Sequence, residues 1–248
     1  MSIFIIAELG INHNGDVETA KEIANIQKNY NYPISVDAPA GKNMPKRIIN
    51  IASIMKGWSM GGVIQSSDPG VLKAIKRSNI SIHAYQDLID FGNKQKANRT
   101  YTEIILGLPD DTKEKHFKSL RLGIEKSVNN LRMHQAMLLI GTEMASKKDR
   151  EKYGLITKFR TLPGNVGNYD ILNKEHPVAE VEEIVVGSNT LSMEDYIECR
   201  IMNLIIKTFY NNNIFNEIHS TQRAMGISPF DCLVYIKDHE EMYTEKVK

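Results

Sequence analysis

Short apolar runs alternate with longer amphipathic segments through the first two thirds of the chain, and this alternation constrains the fold more than any other feature. The apolar runs lie at residues 3–9, 34–36, 62–65, 102–106 and 133–140. Helical patterns occupy residues 17–29, 45–55, 69–77, 83–94 and 112–126. Parallel strands covered by crossover helices produce such a pattern. The sequence therefore predicts an α/β protein, a partial (βα) barrel of about five parallel strands.

Capping patterns mark the starts of two helices in this region. Asp68 precedes Pro69, which places a capping side chain before a proline at the first helical position. Asp111 is followed three residues later by Glu114, a variant of the capping box. Both starts put the carboxyl end of a strand beside a helix amino terminus, the edge at which α/β enzymes bind ligands.

The pattern changes near Gly141, where the sequence predicts a domain boundary. A Gly/Pro/Asn-rich stretch at residues 161–170 precedes a strand-like run at 182–187 and a second capping pattern that begins at Ser192. A long helix is expected after it, with the apolar face Ile197, Ile201, Leu204, Ile205 and Thr208. The predicted domains are a partial βα barrel at 1–140 and a helical C-terminal region at 141–248.

Composition narrows the possible partners. The 248 residues are 42% hydrophobic and 25% charged, in the ordinary range for one α/β domain. A net charge of +1 gives no electrostatic reason to expect nucleic acid or a membrane surface, and a small-molecule ligand is expected instead. The start MSIFIIAELG has no basic segment before its apolar run, so we expect a cytoplasmic protein without a signal peptide.

The cysteines and histidines predict no metal site. Cys199 and Cys232 are too far apart in sequence to form a ligand motif, and free cysteines usually pack as small hydrophobic residues. None of the seven histidines pairs with another at helical ligand spacing.

The first twenty residues contain a polar turn between a strand and an acidic helix start. The segment FIIAELGINHNGD resembles the start of the sialic acid synthase family, whose members join phosphoenolpyruvate to an N-acetylated amino sugar. The resemblance implies that Glu8, Asn12 and His13 contact the substrate. The alternative is an ordinary polar strand-to-helix turn, and NYPISVDAPAGKN then departs from the family pattern.

A second resemblance covers the chain from about Asp16 to its end. The segments GGVIQSSDPGVLKAIKRSNIS, YTEIILGLPDDTKEKHFKSL, LLIGTEMASKKDREKYGLITKFRTLP and EEIVVGSNTLSMEDY resemble the later part of radical S-adenosylmethionine (SAM) enzymes. The subgroup that commonly carries a cobalamin-binding domain is the most similar. The resemblance implies SAM as cofactor, a [4Fe–4S] cluster, and strands that belong to the second half of a partial barrel.

The second resemblance also implies a set of SAM-binding residues. Gln65 and Ser66 would lie near the ribose or carboxylate, and Glu103 would accept hydrogen bonds from a ribose hydroxyl. The turn Gly107, Leu108 and Pro109 would approach the adenine. Each has an alternative role: Gln65 and Ser66 can satisfy backbone at a strand end, Glu103 can pair with Arg132, and the glycine–proline turn can occur without any ligand.

The chain departs from this family in its cysteines, because it contains no CxxxCxxC triplet to hold a cluster. The sequence therefore predicts a truncated or recombined, catalytically impaired SAM-binding protein related to surface glycan or metabolite modification. One alternative is a sialic acid synthase-type enzyme; another is a non-catalytic subunit that completes a barrel with a cluster-bearing chain. An apolar edge at residues 3–9 also predicts self-association.

Overall fold

The computed structural model describes residues 17–34, 36–39, 45–94 and 100–244. The helices are α1 (Val17–Tyr30), α2 (Pro45–Ile54), α3 (Pro69–Ala74), α4 (Ile82–Lys94), α5 (Lys113–Glu125), α6 (Lys147–Tyr153), α7 (Met193–Phe209), α8 (Asn216–Ala224) and α9 (Pro229–Asp238). The strands are β1 (Val36–Pro39), β2 (Trp58–Gly61), β3 (Thr100–Leu106), β4 (Asn130–Gln135), β5 (Ile156–Ile171) and β6 (Lys174–Gly187). The predicted strand at 3–9 lies outside the described residues.

Strands β1 to β4 form a parallel sheet in the order of the chain. In the best-defined pair, Glu103 of β3 is in register with Arg132 of β4. The predicted helices of the first half are confirmed to within a few residues at each end. The prediction of about five parallel strands is not confirmed, since the described ranges contain four.

The main core lies on the helix-covered face of this sheet. Ile104 of β3 and Leu131 of β4 are fully or almost fully buried against Leu120 and Ile124 of α5. Each such side chain contributes roughly 1.5–3 kcal/mol by leaving water. The packing of the sheet against α5 therefore fixes the positions of the residues at the strand ends.

The opposite face of β3 carries Tyr101 and Glu103, because successive strand residues point to opposite faces. Gly61 of β2 is in register with Tyr101. A Cβ atom at Gly61 would lie 2.2 Å from the Tyr101 ring, so only glycine leaves room for that ring. The face of the sheet that carries Tyr101 and Glu103 therefore requires a glycine at position 61 of the neighbouring strand.

Strands β5 and β6 form a long antiparallel hairpin whose base joins the end of β4. The Val185 amide donates to the Ala136 carbonyl at 2.9 Å, and the Leu138 amide donates to the Glu183 carbonyl at 2.9 Å. Residues 161–170, to which the sequence assigned no strand, form much of β5. The predicted C-terminal extension is therefore helical only in part.

Helix α7 begins at the predicted cap, where the Ser192 side chain accepts from the Asp195 amide. Its predicted apolar face is confirmed only at Ile205, which is buried. Ile197, Ile201 and Leu204 are exposed, and the helix buries another side. That buried side consists of Tyr196, Cys199, Met202, Asn203, Ile205 and Ile206.

A side-chain amide covers part of the outer edge of β4. The Leu131 amide donates to Oδ1 of Asn211 and the Leu131 carbonyl accepts from its Nδ2, both at 2.9 Å. Asn211 thereby supplies the two hydrogen bonds that a neighbouring strand would supply.

Among the described helices, none is long and apolar enough to cross a membrane.

Candidate functional site

Gln65 lies beside β3 at the carboxyl end of the sheet. Its amide donates to the Glu103 carbonyl at 2.8 Å, and its carbonyl accepts from the Ile105 amide at 2.9 Å. The predicted strand at 62–65 is thus displaced from β2 but continues its path along β3. These bonds bring Gln65 next to Glu103, and the family resemblance implies a SAM contact for both residues.

Gln65 combines a left-handed backbone with a buried side-chain acceptor that lacks a donor among the described residues. Its backbone has a φ of 56°, a left-handed conformation that costs a residue with a Cβ atom roughly 1–2 kcal/mol. Its Oε1 atom is buried and has no hydrogen-bond partner within the described residues. Because a buried acceptor without a donor is costly, this atom marks a place where a ligand donor would be stabilising.

Ser66 is buried and forms local hydrogen bonds. Its Oγ accepts from the Asp68 amide at 3.2 Å, and its carbonyl accepts from Nδ2 of Asn79 at 2.8 Å. Asp68 caps α3 as predicted, accepting from the Val71 amide at 3.0 Å. Ser66 therefore shapes the turn into α3, and its contact with SAM stays a prediction.

Glu103 forms an ion pair with Arg132, which is the alternative role predicted for it from the sequence. Its Oε1 lies 3.5 Å from Nη1 of Arg132, whose guanidinium lies 3.6 Å from the centre of the Tyr101 ring. Both charged side chains keep about a third of their surface exposed to solvent. A contact of this length leaves the carboxylate with capacity to accept further hydrogen bonds.

The turn Gly107, Leu108 and Pro109 is buried at the end of β3. Gly107 has a φ of 83°, and a Cβ atom there would lie 3.4 Å from the Val185 carbonyl oxygen. The Gly107 amide donates to Oδ2 of Asp111 at 3.3 Å, and the Asp111 amide donates to the Leu108 carbonyl at 3.0 Å. The turn is held between Asp111 and the hairpin.

Asp111 itself has a different role from the predicted one. Thr112 is the N-cap of α5, accepting from the Lys115 amide at 3.2 Å, while Asp111 is buried one residue before it. Burial raises the pKa of Asp111 to about 7, although the Gly107 and Thr112 amides oppose this rise by donating to the carboxylate. The sequence pattern favours Asp111 as the capping residue, although the next residue, Thr112, is also of a type that caps helices.

A cavity of about 450 Å³ lies at the carboxyl ends of β3 and β4. Ile105 and Leu108 line it from β3 and the turn after it, and Met133 lines it from β4. Arg160 of β5 and Arg200 of α7 also line it. Sequence reasoning missed both arginines, because only the tertiary arrangement brings the hairpin and α7 to this edge.

The described residues do not fit a [4Fe–4S] cluster. Cys199 is buried in α7, where burial raises the pKa of its thiol to about 12 and disfavours the thiolate that iron needs. Cys232 lies on α9. Within the described ranges, no group of three or more His, Cys, Asp or Glu side chains could hold a metal ion.

Most of the predicted SAM contacts meet at one edge of the sheet. Gln65 bonds to the backbone of Glu103 on β3, Gly107 follows the end of that strand, and Leu108 lines the cavity there. Ser66 lies next to Gln65 but bonds to the α3 turn. Glu8, Asn12 and His13 lie outside the described residues, so their substrate contacts stay predictions.

Known proteins similar to this chain include two methyltransferases, whereas no family model matches it. The first is the cobalamin-dependent radical SAM methyltransferase TokK of Streptomyces tokunonensis, 28% identical over 194 residues. The second is the 2-(S-pantetheinyl)-carbapenam-3-carboxylate methyltransferase of Streptantibioticus cattleyicolor, 26% identical over 200 residues. The similarity covers 74% of this chain and 27% of each relative.

The chain is thus similar to two methyltransferases, one of them a cobalamin-dependent radical SAM enzyme, and it spans about a quarter of their length. The predicted resemblance to the radical SAM family is confirmed at this level. The resemblance of the first twenty residues to sialic acid synthases finds no support in these relatives.

Two solved radical SAM structures show a weaker likeness. Coproporphyrinogen III oxidase (HemN) from Escherichia coli has a TM-score of 0.42 and 15% identity, over 50% of this chain and 29% of that one. The methyltransferase TsrM from Kitasatospora setae has a TM-score of 0.41 and 12% identity, over 66% of this chain and 31% of that one. Likenesses of this size support no assignment of residues.

Proposed function

We propose that this chain supplies the SAM-binding edge of a radical SAM methyltransferase-type protein. The observation that carries the proposal is the buried Oε1 atom of Gln65, which has no donor among the described residues and lies at the carboxyl end of the sheet. The similarity to two methyltransferases, one of which is a radical SAM enzyme, supports the choice of ligand.

The residues at this edge offer groups that complement SAM. Gln65 Oε1 accepts from the ammonium or a ribose hydroxyl, and the free capacity of the Glu103 carboxylate accepts from a second hydroxyl. Leu108 provides an apolar surface for the adenine. When bound, SAM supplies the adenosyl and methyl groups of the family's chemistry, while this chain's residues bind and orient it.

We propose that the [4Fe–4S] cluster typical of the family is held by residues that do not belong to this sequence. Two cysteines, one of them buried with a raised pKa, cannot replace three closely spaced thiolates. We therefore propose that the chain alone binds SAM without cleaving it and acts with a partner subunit that carries the cluster. A cobalamin requirement and a link to surface glycans stay predictions.

Titration calorimetry with SAM tests this proposal through Gln65→Gly. Glycine removes the amide and also relieves the left-handed strain, so the variant should fold at least as well as the parent chain. We expect the parent to bind SAM with a Kd above about 10 μM and the variant to bind about tenfold more weakly.

The matched control is Gln86→Ala on α4, where the glutamine amide donates to Asp90 at 2.7 Å. Its affinity for SAM should equal that of the parent. If Gln65→Gly binds SAM as tightly as the parent while remaining folded, SAM is held elsewhere and the proposal is wrong.

A further inference from the structure

The cavity at the ends of β3 and β4 combines an apolar body with cationic groups. Met133, Met137 and Met144 supply flexible apolar walls that adapt to ligands of different shape. Arg160 and Arg200 supply guanidinium groups from two elements of the C-terminal region. No Asp or Glu occurs among the described residues that line the cavity.

Arg160 is held in position by its neighbours. It donates to Glu182 on β6 and to Gln135 on β4. Gln135 in turn donates to the hydroxyl of Tyr196 on α7. These bonds connect the hairpin, the sheet and α7, so the wall of the cavity that carries Arg160 is fixed before any ligand enters.

Arg200 is exposed to solvent and, unlike Arg160, has no carboxylate partner among the described residues. Within the part of the chain that the structure describes, Arg200 forms no hydrogen bond or ion pair. It lies on α7 one turn after Tyr196, whose own hydrogen bond anchors the helix to β4. An unpaired guanidinium beside a preformed apolar cavity favours a ligand that brings a negative charge.

We propose that this cavity binds an organic anion. Its carboxylate or phosphate group would lie between Arg160 and Arg200, and its apolar part would lie against the methionines. Glu182 already offsets the charge of Arg160, so Arg200 supplies most of the selectivity for a charged ligand over a neutral one.

Leu108 lines this cavity and also belongs to the proposed SAM site, so the two sites adjoin. The further assignment of the anion as the substrate that reacts with SAM rests on the proposed function. The anion site itself does not, because it is defined by the cavity and its arginines.

Methionine-methyl NMR with simple amphiphiles tests the site on the full chain. The probes are octanoate, octyl phosphate and the neutral octanamide, which share one apolar chain. We expect octanoate or octyl phosphate to shift the methyl signals of Met133, Met137 and Met144, assigned through Met→Leu variants. The exposed Met225 at the end of α8 should not shift. The tighter of the two anions identifies the group as carboxylate or phosphate.

Arg200→Gln is the decisive variant, since it removes a charge that holds no other residue in place. It should weaken binding of the anion about tenfold and leave binding of octanamide unchanged. Arg121→Gln is the matched control, because Arg121 on α5 pairs with Asp231 away from the cavity. That control should bind octanoate as the parent chain does.

Two results would overturn the anion site: equal affinity for octanoate and octanamide, or unchanged octanoate binding in Arg200→Gln. The outcome is separable from that of the SAM titration. Arg200-dependent octanoate binding without any SAM binding would remove the proposed function and keep this site. SAM binding without Arg200-dependent shifts would keep the proposed function and remove the anion site.

Discussion

Left-handed backbone at two neighbouring strand ends is the clearest feature at the scale of the residue. Gly107 adopts this conformation without a steric penalty, whereas Gln65 adopts it in spite of its side chain. The resemblance to radical SAM enzymes led to both positions, but it did not predict their conformation. The proposed SAM site rests on this combination of a strained backbone and a buried acceptor without a donor among the described residues.

Asp111 connects the Gly107 turn to a titratable group. Burial disfavours the charged form and raises the pKa of Asp111 from the ordinary 3.8 to about 7 in the folded chain. Between these values the unfolded chain binds fewer protons than the folded chain, so stability falls as pH rises from about 4 to about 7. The loss from one group is at most about 1.4 kcal/mol per pH unit.

Asp111→Asn should remove this pH dependence, since asparagine keeps an acceptor for the Gly107 amide and does not ionise. Urea unfolding at pH 4.5, 6 and 7.5 should show the stability of the parent chain falling relative to that of the variant. The exposed Asp87→Asn on α4 serves as control and should follow the parent. Parallel curves for the parent and Asp111→Asn would contradict the buried-carboxyl explanation.

At the scale of the element, the sequence predicted helices better than strands. Helices α1, α2, α4 and α5 show clear apolar periodicity over ten to fourteen residues. Strand β2 has four residues, too few for its pattern to fix its position. Within residues 161–170, Thr161 and Val166 to Asp170 pair with β6, whereas Pro163, Gly164 and Asn165 fall where the register of the hairpin shifts.

The error on α7 has a related cause. The stripe Ile197, Ile201 and Leu204 repeats at helical spacing, yet so does the buried set that includes Tyr196 and Cys199. Periodicity identifies an amphipathic helix but does not decide between two apolar faces. Packing against α5, α9 and β6 decided it here.

Asn211 provides a test of how the edge of β4 is stabilised. Asn211→Ala leaves the buried amide and carbonyl of Leu131 without hydrogen bonds, so we expect a loss of about 2–4 kcal/mol in the free energy of unfolding. The exposed Asn216→Ala, at the start of α8, should change it by less than about 0.5 kcal/mol. Equal changes in the free energy of unfolding of the two variants would show that the hydrogen bonds of Asn211 do not stabilise the edge of β4.

At the scale of the whole molecule, the candidate site is assembled from parts far apart in sequence. The βα region supplies Gln65, Glu103 and the Gly107 turn, which the family resemblance anticipated. The hairpin and α7 supply Arg160 and Arg200, which it did not, because no local pattern relates residues 160 and 200 to the end of β4. Predicted self-association through residues 3–9 concerns a segment outside the described residues and stays a prediction.

The most direct test of the central claim is photoaffinity labelling with the 8-azido derivative of SAM, followed by peptide mapping. Trypsin releases residues 100–113 as one peptide, which carries β3 and the turn Gly107, Leu108 and Pro109. We expect the label on this peptide, with unmodified SAM competing for it. Labelling confined to α8 and α9, or labelling that excess SAM does not reduce, would contradict a SAM site at the carboxyl edge of the sheet.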